Sequence, residues 1–467
     1  MMNISLEEVA NGSGGELFGE LKSSLISGIS IDSRTIKNNE LYVALMGERF
    51  DGHNYIKSAL ENGASCVMAA IDMEAMVLKE AGNTPIIFVE DTLTGLAMLA
   101  AWYRKKFEIK LVAVTGSSGK TTTKDMIGEV LSRGMVTHKT KGNFNNLVGL
   151  PLTVFGIENR HEAVVLEMGM DRLGEIRTLT NIGKPDIAVI TNIGTAHMEN
   201  LGNRANIFRA KTEIFEGLKP SGIAVINGDD DFLRNFSSET FIVLKYGFSE
   251  SCDYRCLEIC NNTDGSQIFT MKGPNLELKL KLTFPGRHNV LNAMAAAICG
   301  ILLKIDNKEI FDGILNFKPS ELRMEFFDGI NNARVMNDSY NANPESMKAA
   351  LEVMKEASGS RKFAVLGDML ELGIDQDVAH RDIIRYIREN KSVNTILTFG
   401  DTFGKAGDHW NESFEGKKAL KENFRVIKFE KKEEIIDWLV QILEKGDLVL
   451  VKGSRGMKME QVADGLR

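Results

Sequence analysis

An apolar run, Leu111-Val112-Ala113-Val114, passes without a break into Thr115-Gly116-Ser117-Ser118-Gly119-Lys120-Thr121-Thr122. Such a run, bounded by glycine, suits a buried strand. A glycine turn ending in Gly-Lys-Thr suits a phosphate cradle: backbone N–H groups wrap the anion, Lys120 adds a point charge, the Thr121 hydroxyl reaches Mg2+, and the next helix aims its positive N-terminus at the ligand. Glycine is what lets a backbone come that close. The loop is a variant of G-x-x-x-x-G-K-[ST], since Val114 stands where the pattern has glycine. Met126, Ile127, Val130 and Leu131 then recur at helical spacing, with Gly134 as the expected C-cap, which completes a strand–loop–helix unit. Thr115, Gly116, Ser117, Ser118, Gly119, Lys120, Thr121 and Thr122 are therefore the candidate nucleotide-binding residues. A glycine turn without a ligand is the alternative.

A chain of 467 residues is too long for one hydrophobic core and divides into about three domains. With 43% hydrophobic and 26% charged residues it has an ordinary globular composition. The net charge of -8 opposes general attraction to nucleic acid or to a membrane surface, so a polyanionic ligand must be met by local cradles, as a small phosphorylated substrate would be. No basic segment followed by an apolar run opens the chain, and no stretch is long enough to span a bilayer. A cytoplasmic protein without stable membrane insertion is expected. Five cysteines are too few for a disulfide framework. Cys252, Cys256 and Cys260 are evenly spaced, but alternation over 254–260 fits a strand face better than a zinc site.

Three segments follow. Over 1–105, strand-like runs at 41–45 and 65–68 alternate with helical patterns such as 55–62, predicting a small α/β N-terminal domain. Its polar cluster Asp32-Ser33-Arg34 and the turn Phe50-Asp51-Gly52-His53 suit ordinary turns, with ligand contact as the second reading. Over 106–318, apolar runs at 111–114, 163–166, 187–190 and 223–226 predict buried parallel strands, hence a doubly wound central domain with ligands beyond the carboxyl ends of its strands. Over 319–467, runs at 333–336, 363–366, 395–399 and 448–451 predict a second, Rossmann-like domain whose polar turns face a shared cleft.

Glu167 ends an apolar strand, where a carboxylate is costly unless it meets a cation or donors. Mg2+ is the natural partner, with Thr121 and Glu167 as hard oxygen ligands; a core arginine is the alternative. His197 lies just past the 187–190 run. Lys211 falls in a helical stretch over 207–218 among apolar residues, where a desolvated amine can lose its proton and be modified.

Together these motifs resemble the Mur ligases, ATP-dependent amide-forming enzymes of peptidoglycan precursor synthesis, over essentially the whole chain. The resemblance rests on Thr115 to Thr121, Gly142-Asn143-Phe144-Asn145-Asn146, Leu166-Glu167-Met168-Gly169, the 192–197 segment, Ala210-Lys211-Thr212-Glu213-Ile214, and the run from Pro285 to Ala293. Three further runs, Asp338 to Pro344, Leu366 to Gly373 and Val451 to Arg455, are similar to those of the family member that adds D-alanyl-D-alanine to UDP-N-acetylmuramoyl-tripeptide.

The resemblance implies ATP and Mg2+ as cofactors, with Lys120, His197 and Lys211 as catalytic residues. It implies that Thr121 and Glu167 serve one magnesium, that His197 and Lys211 serve a second, and that Lys211 carries CO2 as a carbamate. Asn289 and Asn292 resemble the adenine contacts, and Arg323 and Asp338 the groups at the ribose and γ-phosphate once the third domain closes. Ser33, Arg34 and His53 fall where the uridine diphosphate end is expected, and Asn145, Asn146, Asn341 and Asn343 are further substrate contacts. A monomer acting on UDP-N-acetylmuramoyl-tripeptide and D-alanyl-D-alanine, with no nucleic acid partner, is the expectation. Three alternatives stay open: a Mur-type or folate-type ligase for another amino acid, a nucleotide-driven switch protein, and a kinase. A GTPase is disfavoured because no Asn-Lys-x-Asp run is present.

Overall fold

Alternating apolar runs and amphipathic helices should pack in α/β layers, and the computed structural model, which describes residues 2–19, 25–47, 50–262 and 265–467, bears this out. Among the described residues, sheets of five, nine and six strands follow one another along the chain, beside a short ladder pairing Ile4–Ser5 with Leu25–Ile26.

In the first sheet Gly28–Ser30, Glu40–Val43, Ala64–Ala70 and Ile86–Val89 run parallel, and Glu16–Phe18 closes one edge antiparallel. In the second, Lys110–Thr115 lies between Ile187–Ile190 and Ala163–Glu167, all parallel, with Thr137–Lys139 beyond. Chain order reverses around this strand, the kind of switch point that opens a crevice at the carboxyl ends. Beyond Ile223–Asn227 and Ile242–Gly247 the sheet ends in an antiparallel meander of Tyr254–Asn261, Gln267–Gly273 and Leu276–Leu282. The third sheet is parallel from Arg334–Asn337 through Leu448–Lys452, Lys362–Gly367 and Thr395–Phe399 to Arg425–Phe429, with Glu325–Asp328 as an antiparallel edge.

Period-two alternation decides which face each strand residue covers. Leu111, Ala113, Val164 and Leu166 join the core on one face of the central sheet, while Val112, Val114, Ala163 and Val165 join the core on the other. On the second face, helix Lys120–Leu131 packs against Arg287–Leu302 and Asn307–Asn316. Their approach is close because glycines stand at the contact: a Cβ on Gly300 would fall 2.8 Å from a Val130 methyl, and one on Gly313 2.8 Å from Val130 Cα.

The first core also crosses a domain boundary. Helix Thr92–Arg104 packs on Leu6–Ser13 of the N-terminal domain and on Gly149–Phe155 and Glu175–Gly183 of the central one. Tyr103 is the rivet: its ring meets Phe107 and Phe155 at centroid distances of 5.1 and 5.8 Å, and its hydroxyl donates to Ile157 O at 2.9 Å.

Several local expectations shift. Helix Lys120–Leu131 ends through Ser132 in a right-handed conformation, and Gly134 is not its cap; it stands instead against the end of the Ile305 side chain. The pattern over 55–62 resolves into a 3-10 turn Gly52–Tyr55 and a helix Ile56–Glu61. The stretch over 207–218 is the end of helix Arg204–Thr212 and a 3-10 segment Glu213–Gly217. Strand Tyr254–Asn261 carries a bulge between Cys256 and Glu258, so its alternation breaks: Cys256 is buried and Cys260 exposed. No helix among the described residues is long and apolar enough to cross a membrane.

Because Tyr103 sits in one core shared by two domains, Tyr103→Ala should cost about 3–5 kcal/mol and Tyr103→Phe about 1 kcal/mol. Denaturant unfolding followed by probes placed in each domain checks this. Both probes should shift together, and a shift confined to the N-terminal probe would show that the cores are independent.

Candidate active site

The glycine loop leaves the central strand at Thr115 and is sewn to its neighbour. Thr115 Oγ1 donates to Met168 O at 2.8 Å, Thr191 Oγ1 donates to Ser118 O at 2.6 Å, and the Asn192 side chain accepts from Ser118 N and donates to Ser118 O, both at 3.0 Å. Ser117 Oγ accepts from Gly194 N at 2.8 Å. Gly116 has φ 151°, and a Cβ there would stand 1.8 Å from Thr191 Oγ1, so no other residue fits this approach. Gly119, with φ 78°, turns the chain into helix Lys120–Leu131. The loop is thus pre-shaped for an anion. Lys120 Nζ donates to Gly116 O at 2.8 Å, and burial pushes its amine pKa down against the pull of Glu167. Ser117 to Thr122 line a cleft of about 350 Å³; Thr115 and Gly116 form its root.

Glu167 faces the loop from the adjoining strand. One carboxylate oxygen accepts from Thr121 Oγ1 at 3.2 Å and from Asn145 Nδ2 at 2.8 Å. The other is buried without a hydrogen-bond partner. A buried, half-satisfied carboxylate beside a threonine hydroxyl and a phosphate cradle fits a hard divalent cation such as Mg2+, which supplies the missing charge. Among the described residues no arginine fills that role: Arg323 Nη2 donates to Thr121 Oγ1 at 3.1 Å instead.

His197 precedes the short helix Met198–Leu201 in a left-handed conformation, φ 63°. Its Nδ1 lies 3.0 Å from Asp171 Oδ1 and 3.3 Å from Glu371 Oε2. Burial works against the imidazolium, but the two carboxylates outweigh it and hold the His197 pKa above the ordinary value. Lys211 is fully buried and is not among the residues that line the cleft; desolvation, helped by the charge of Lys120, pushes its pKa well below the ordinary lysine value.

On the opposite wall Asn292 Oδ1 accepts from Thr123 Oγ1 at 3.1 Å, and Asn289 Nδ2 donates to Pro285 O at 2.7 Å. Both are buried yet line the cleft, beside His288, whose pKa burial lowers to about 4. The third domain supplies the rest. Arg323 stacks 3.9 Å from the Tyr340 ring centroid. Asp338 accepts from Lys452 Nζ at 2.5 Å and from Met324 N at 3.2 Å, so its charge is already paired. Asn341 Oδ1 accepts from Ala342 N at 2.9 Å, and Asn343 caps helix Pro344–Glu356 by accepting from Ser346 N at 2.8 Å. Asn146 likewise accepts from Gly149 N at 2.8 Å at the head of helix Gly149–Phe155. Asn146, Asn341 and Asn343 line the cleft with side chains engaged in local turns.

The N-terminal candidates stand outside this cleft. Arg34 is exposed and holds Asp32 through two bonds of 2.9 and 2.7 Å, while Ser33 is buried. His53 requires a correction: it is turned into the domain core, where Nδ1 meets Asp51 Oδ1 at 2.6 Å and Nε2 accepts from Ala70 N at 3.0 Å. Both ring nitrogens are spent on the fold, because a histidine enclosed by a β-strand and a 3-10 turn must satisfy them locally.

Sequence reasoning missed Asp171, His288, Tyr340, Glu371 and Lys452 as site residues. Asp171 was within reach, since it lies just beyond the carboxyl end of a central strand. Glu371 and Lys452 fall in the runs 366–373 and 451–455 that carry the resemblance, but nothing in those runs set them apart from their neighbours.

The chain matches three family profiles: "Mur ligase family, catalytic domain" over residues 25–104, "Mur ligase middle domain" over 114–300, and "Mur ligase, glutamate ligase domain" over 322–455. It is 39% identical to the UDP-N-acetylmuramoyl-tripeptide--D-alanyl-D-alanine ligase of Bacillus subtilis (strain 168), over 96% of this chain and 94% of that one. It is 31% identical to the enzyme of the same name from Escherichia coli (strain K12), over 100% and 99%. The crystal structure of MurF from Acinetobacter baumannii superposes with a TM-score of 0.89 at 30% identity, covering 100% of this chain and 99% of that one. That of the Thermotoga maritima MurF ligase in complex with ADP gives 0.80 at 28% identity, covering 96% and 98%. With its whole length matched in this way, the chain belongs to the Mur ligase family.

Proposed function

We propose that this chain joins D-alanyl-D-alanine to the C-terminal carboxylate of UDP-N-acetylmuramoyl-tripeptide, driven by ATP, and works in the cytoplasm. The observation that carries the reading is the meeting, in one cleft, of a phosphate loop, a half-unpaired buried Glu167 and an arginine from the third domain. The names printed for the relatives supply the substrates.

A carboxylate resists attack by an amine, so it is first converted to an acyl phosphate with the γ-phosphoryl of ATP. The dipeptide amine then adds to the carbonyl, and phosphate leaves. Catalysis of this kind is positioning and charge compensation. The loop residues Gly116 to Thr122 hold the phosphates, with Lys120 released from Gly116 O to neutralise them. Thr121 and Glu167 would hold one Mg2+, and His197 with Lys211 a second, the latter as a carbamate formed by the neutral amine and CO2. Bound Mg2+ offsets the negative charge gathered on the transferred phosphoryl. Asn289 and Asn292 face the adenine, Arg323 and Asp338 the ribose and γ-phosphate region. Ser33 and Arg34 remain the candidates for the uridine diphosphate end, and Asn145, Asn146, Asn341 and Asn343 for substrate orientation.

Three outcomes test this. Phosphate release from ATP and Mg2+ should require both UDP-N-acetylmuramoyl-tripeptide and D-alanyl-D-alanine and yield a product with the pentapeptide mass; release independent of both would mean a switch protein. Glu167→Gln should lower kcat by about 10²–10³-fold while leaving the melting temperature of the nucleotide-free protein equal or higher, because it removes a buried unpaired charge. A drop in both would assign Glu167 to the fold alone. Finally, 13C-bicarbonate should give a carbamate resonance in the wild type and none in Lys211→Arg; its absence from both would leave Lys211 as a plain amine.

A further inference from the structure

Lys124, on the helix that follows the phosphate loop, is only 2% exposed and lines no part of the cleft. A buried ammonium is a costly way to fill space, so its use lies in its bonds. Its Nζ lies 3.0 Å from Asp125 Oδ1 and donates to Thr140 O at 2.9 Å. Asp125 has a second cation. Lys139 Nζ stands 2.8 Å from the same oxygen, and the Lys139 stem lies so close over the helix that a Cβ on Gly128 would fall 2.7 Å from its Cδ. Neutralising Asp125 therefore does not require Lys124, whereas binding the Thr140 carbonyl does.

Thr140 is fully buried just past strand Thr137–Lys139, and it is fastened at two points to the strand that ends in Glu167. Its N–H donates to Val165 O at 3.0 Å, and its hydroxyl accepts from Glu167 N at 3.0 Å. The side chain of Glu167 then returns to the helix, accepting from Thr121 Oγ1 at 3.2 Å. Thr121 and Lys124, at i and i+3, share one side of that helix. A closed ring of hydrogen bonds results: it runs from Lys124 through Thr140 to the Glu167 backbone, and from the Glu167 carboxylate back to Thr121. Asn145, which donates to the same carboxylate oxygen at 2.8 Å, lies on the stretch of chain that leaves Thr140.

We propose that Lys124 is a positioning residue: through the carbonyl and the hydroxyl of Thr140 it fixes where the Glu167 carboxylate meets Thr121 and the phosphate loop. It stands behind the cleft and acts only through Glu167. Groups that hold a ligating carboxylate from behind are worth about 10–100-fold in metal affinity or activity. The proposal rests on the ligase reading above for the reaction and extends it to a residue outside the loop motif.

The test compares the wild type with Lys124→Met, which keeps an unbranched side chain and removes the amine, and with Thr140→Val and Thr140→Ser, which remove and keep the hydroxyl. With the full chain and a non-hydrolysable ATP analogue, Mn2+ affinity followed by electron paramagnetic resonance should fall about tenfold or more in Lys124→Met and in Thr140→Val. Thr140→Ser should stay near the wild type. During turnover kcat should fall about 10–100-fold in the first two variants, with the KM for dipeptide unaltered. In a Glu167→Gln background Lys124→Met should lower kcat no further, because its effect passes through that carboxylate. Wild-type Mn2+ affinity and kcat in Lys124→Met, whatever its melting temperature, would overturn the proposal and leave Lys124 to the fold. So would a further loss of kcat in the Glu167→Gln background. Should Lys124→Met fail to fold, Thr140→Val decides by the same two readouts. The Mn2+ measurement needs no turnover, so failure of the ligase reading is seen separately, as absent dipeptide-dependent phosphate release in the wild type.

Discussion

Glu167 is a buried carboxylate with only one of its oxygens hydrogen-bonded, and the site is organised around that deficit. In a low-dielectric pocket an unpaired anion is expensive, and among the described residues no cation is bonded to the open oxygen. The positive groups nearby are held elsewhere: Lys120 on Gly116 O, Arg323 on Thr121 and over Tyr340, Lys452 on Asp338. For Lys211, burial and the charge of Lys120 both disfavour the cation. The balance of charge is thus left for a nucleotide and its metal to complete.

The same deficit explains the crowding of the loop. Its glycine conformation is enforced by Thr191 and Asn192 just past the end of the neighbouring strand, so the N–H groups are pre-aimed and need no reorganisation when phosphate arrives. Every such bond comes from the carboxyl ends of parallel strands, where the strand order reverses. The fold therefore positions chemistry chiefly by strand register: Glu167 pairs with Val114 and Ile190 with Thr115, which brings carboxylate, loop and the Thr191–His197 segment to one level.

The strands that carry this register, though not their pairing, were largely legible in the sequence. Apolar runs such as Ile187–Ile190 and Thr395–Phe399 became strands with the expected limits because a strand buried on both faces tolerates little but Val, Ile, Leu and Ala. In the antiparallel meander only the strand over 254–260 was legible; Gln267–Gly273, Leu276–Leu282 and the edge strand Glu325–Asp328 were not, since exposed strands admit Lys, Glu and Arg and lose their pattern. Within the site, Ser117 to Thr122, Glu167, His197, Asn289 and Asn292 line one cleft, while Lys211 does not. Residues whose contacts appear only in the fold stayed hidden: Glu371, whose loop meets Glu199 of another domain, and Lys452, which pairs with Asp338 of its own. His53 shows the converse, a suggestive polar turn whose histidine is spent inside the fold.

Division of the site between domains has a chemical reason. An acyl phosphate is destroyed by water, so a chain that makes one benefits from assembling its charges only when solvent is shut out. The contacts across the cleft are few and polar: Arg323 on Thr121, Thr195 donating to Glu345 at 3.0 Å, and the Glu371 loop on Glu199. Polar contacts of this size hold a closed state without locking it, in contrast to the apolar core that welds the N-terminal domain to the central one through Tyr103. The first interface suits a substrate-holding domain that need not move, and the second suits one that must open for each nucleotide.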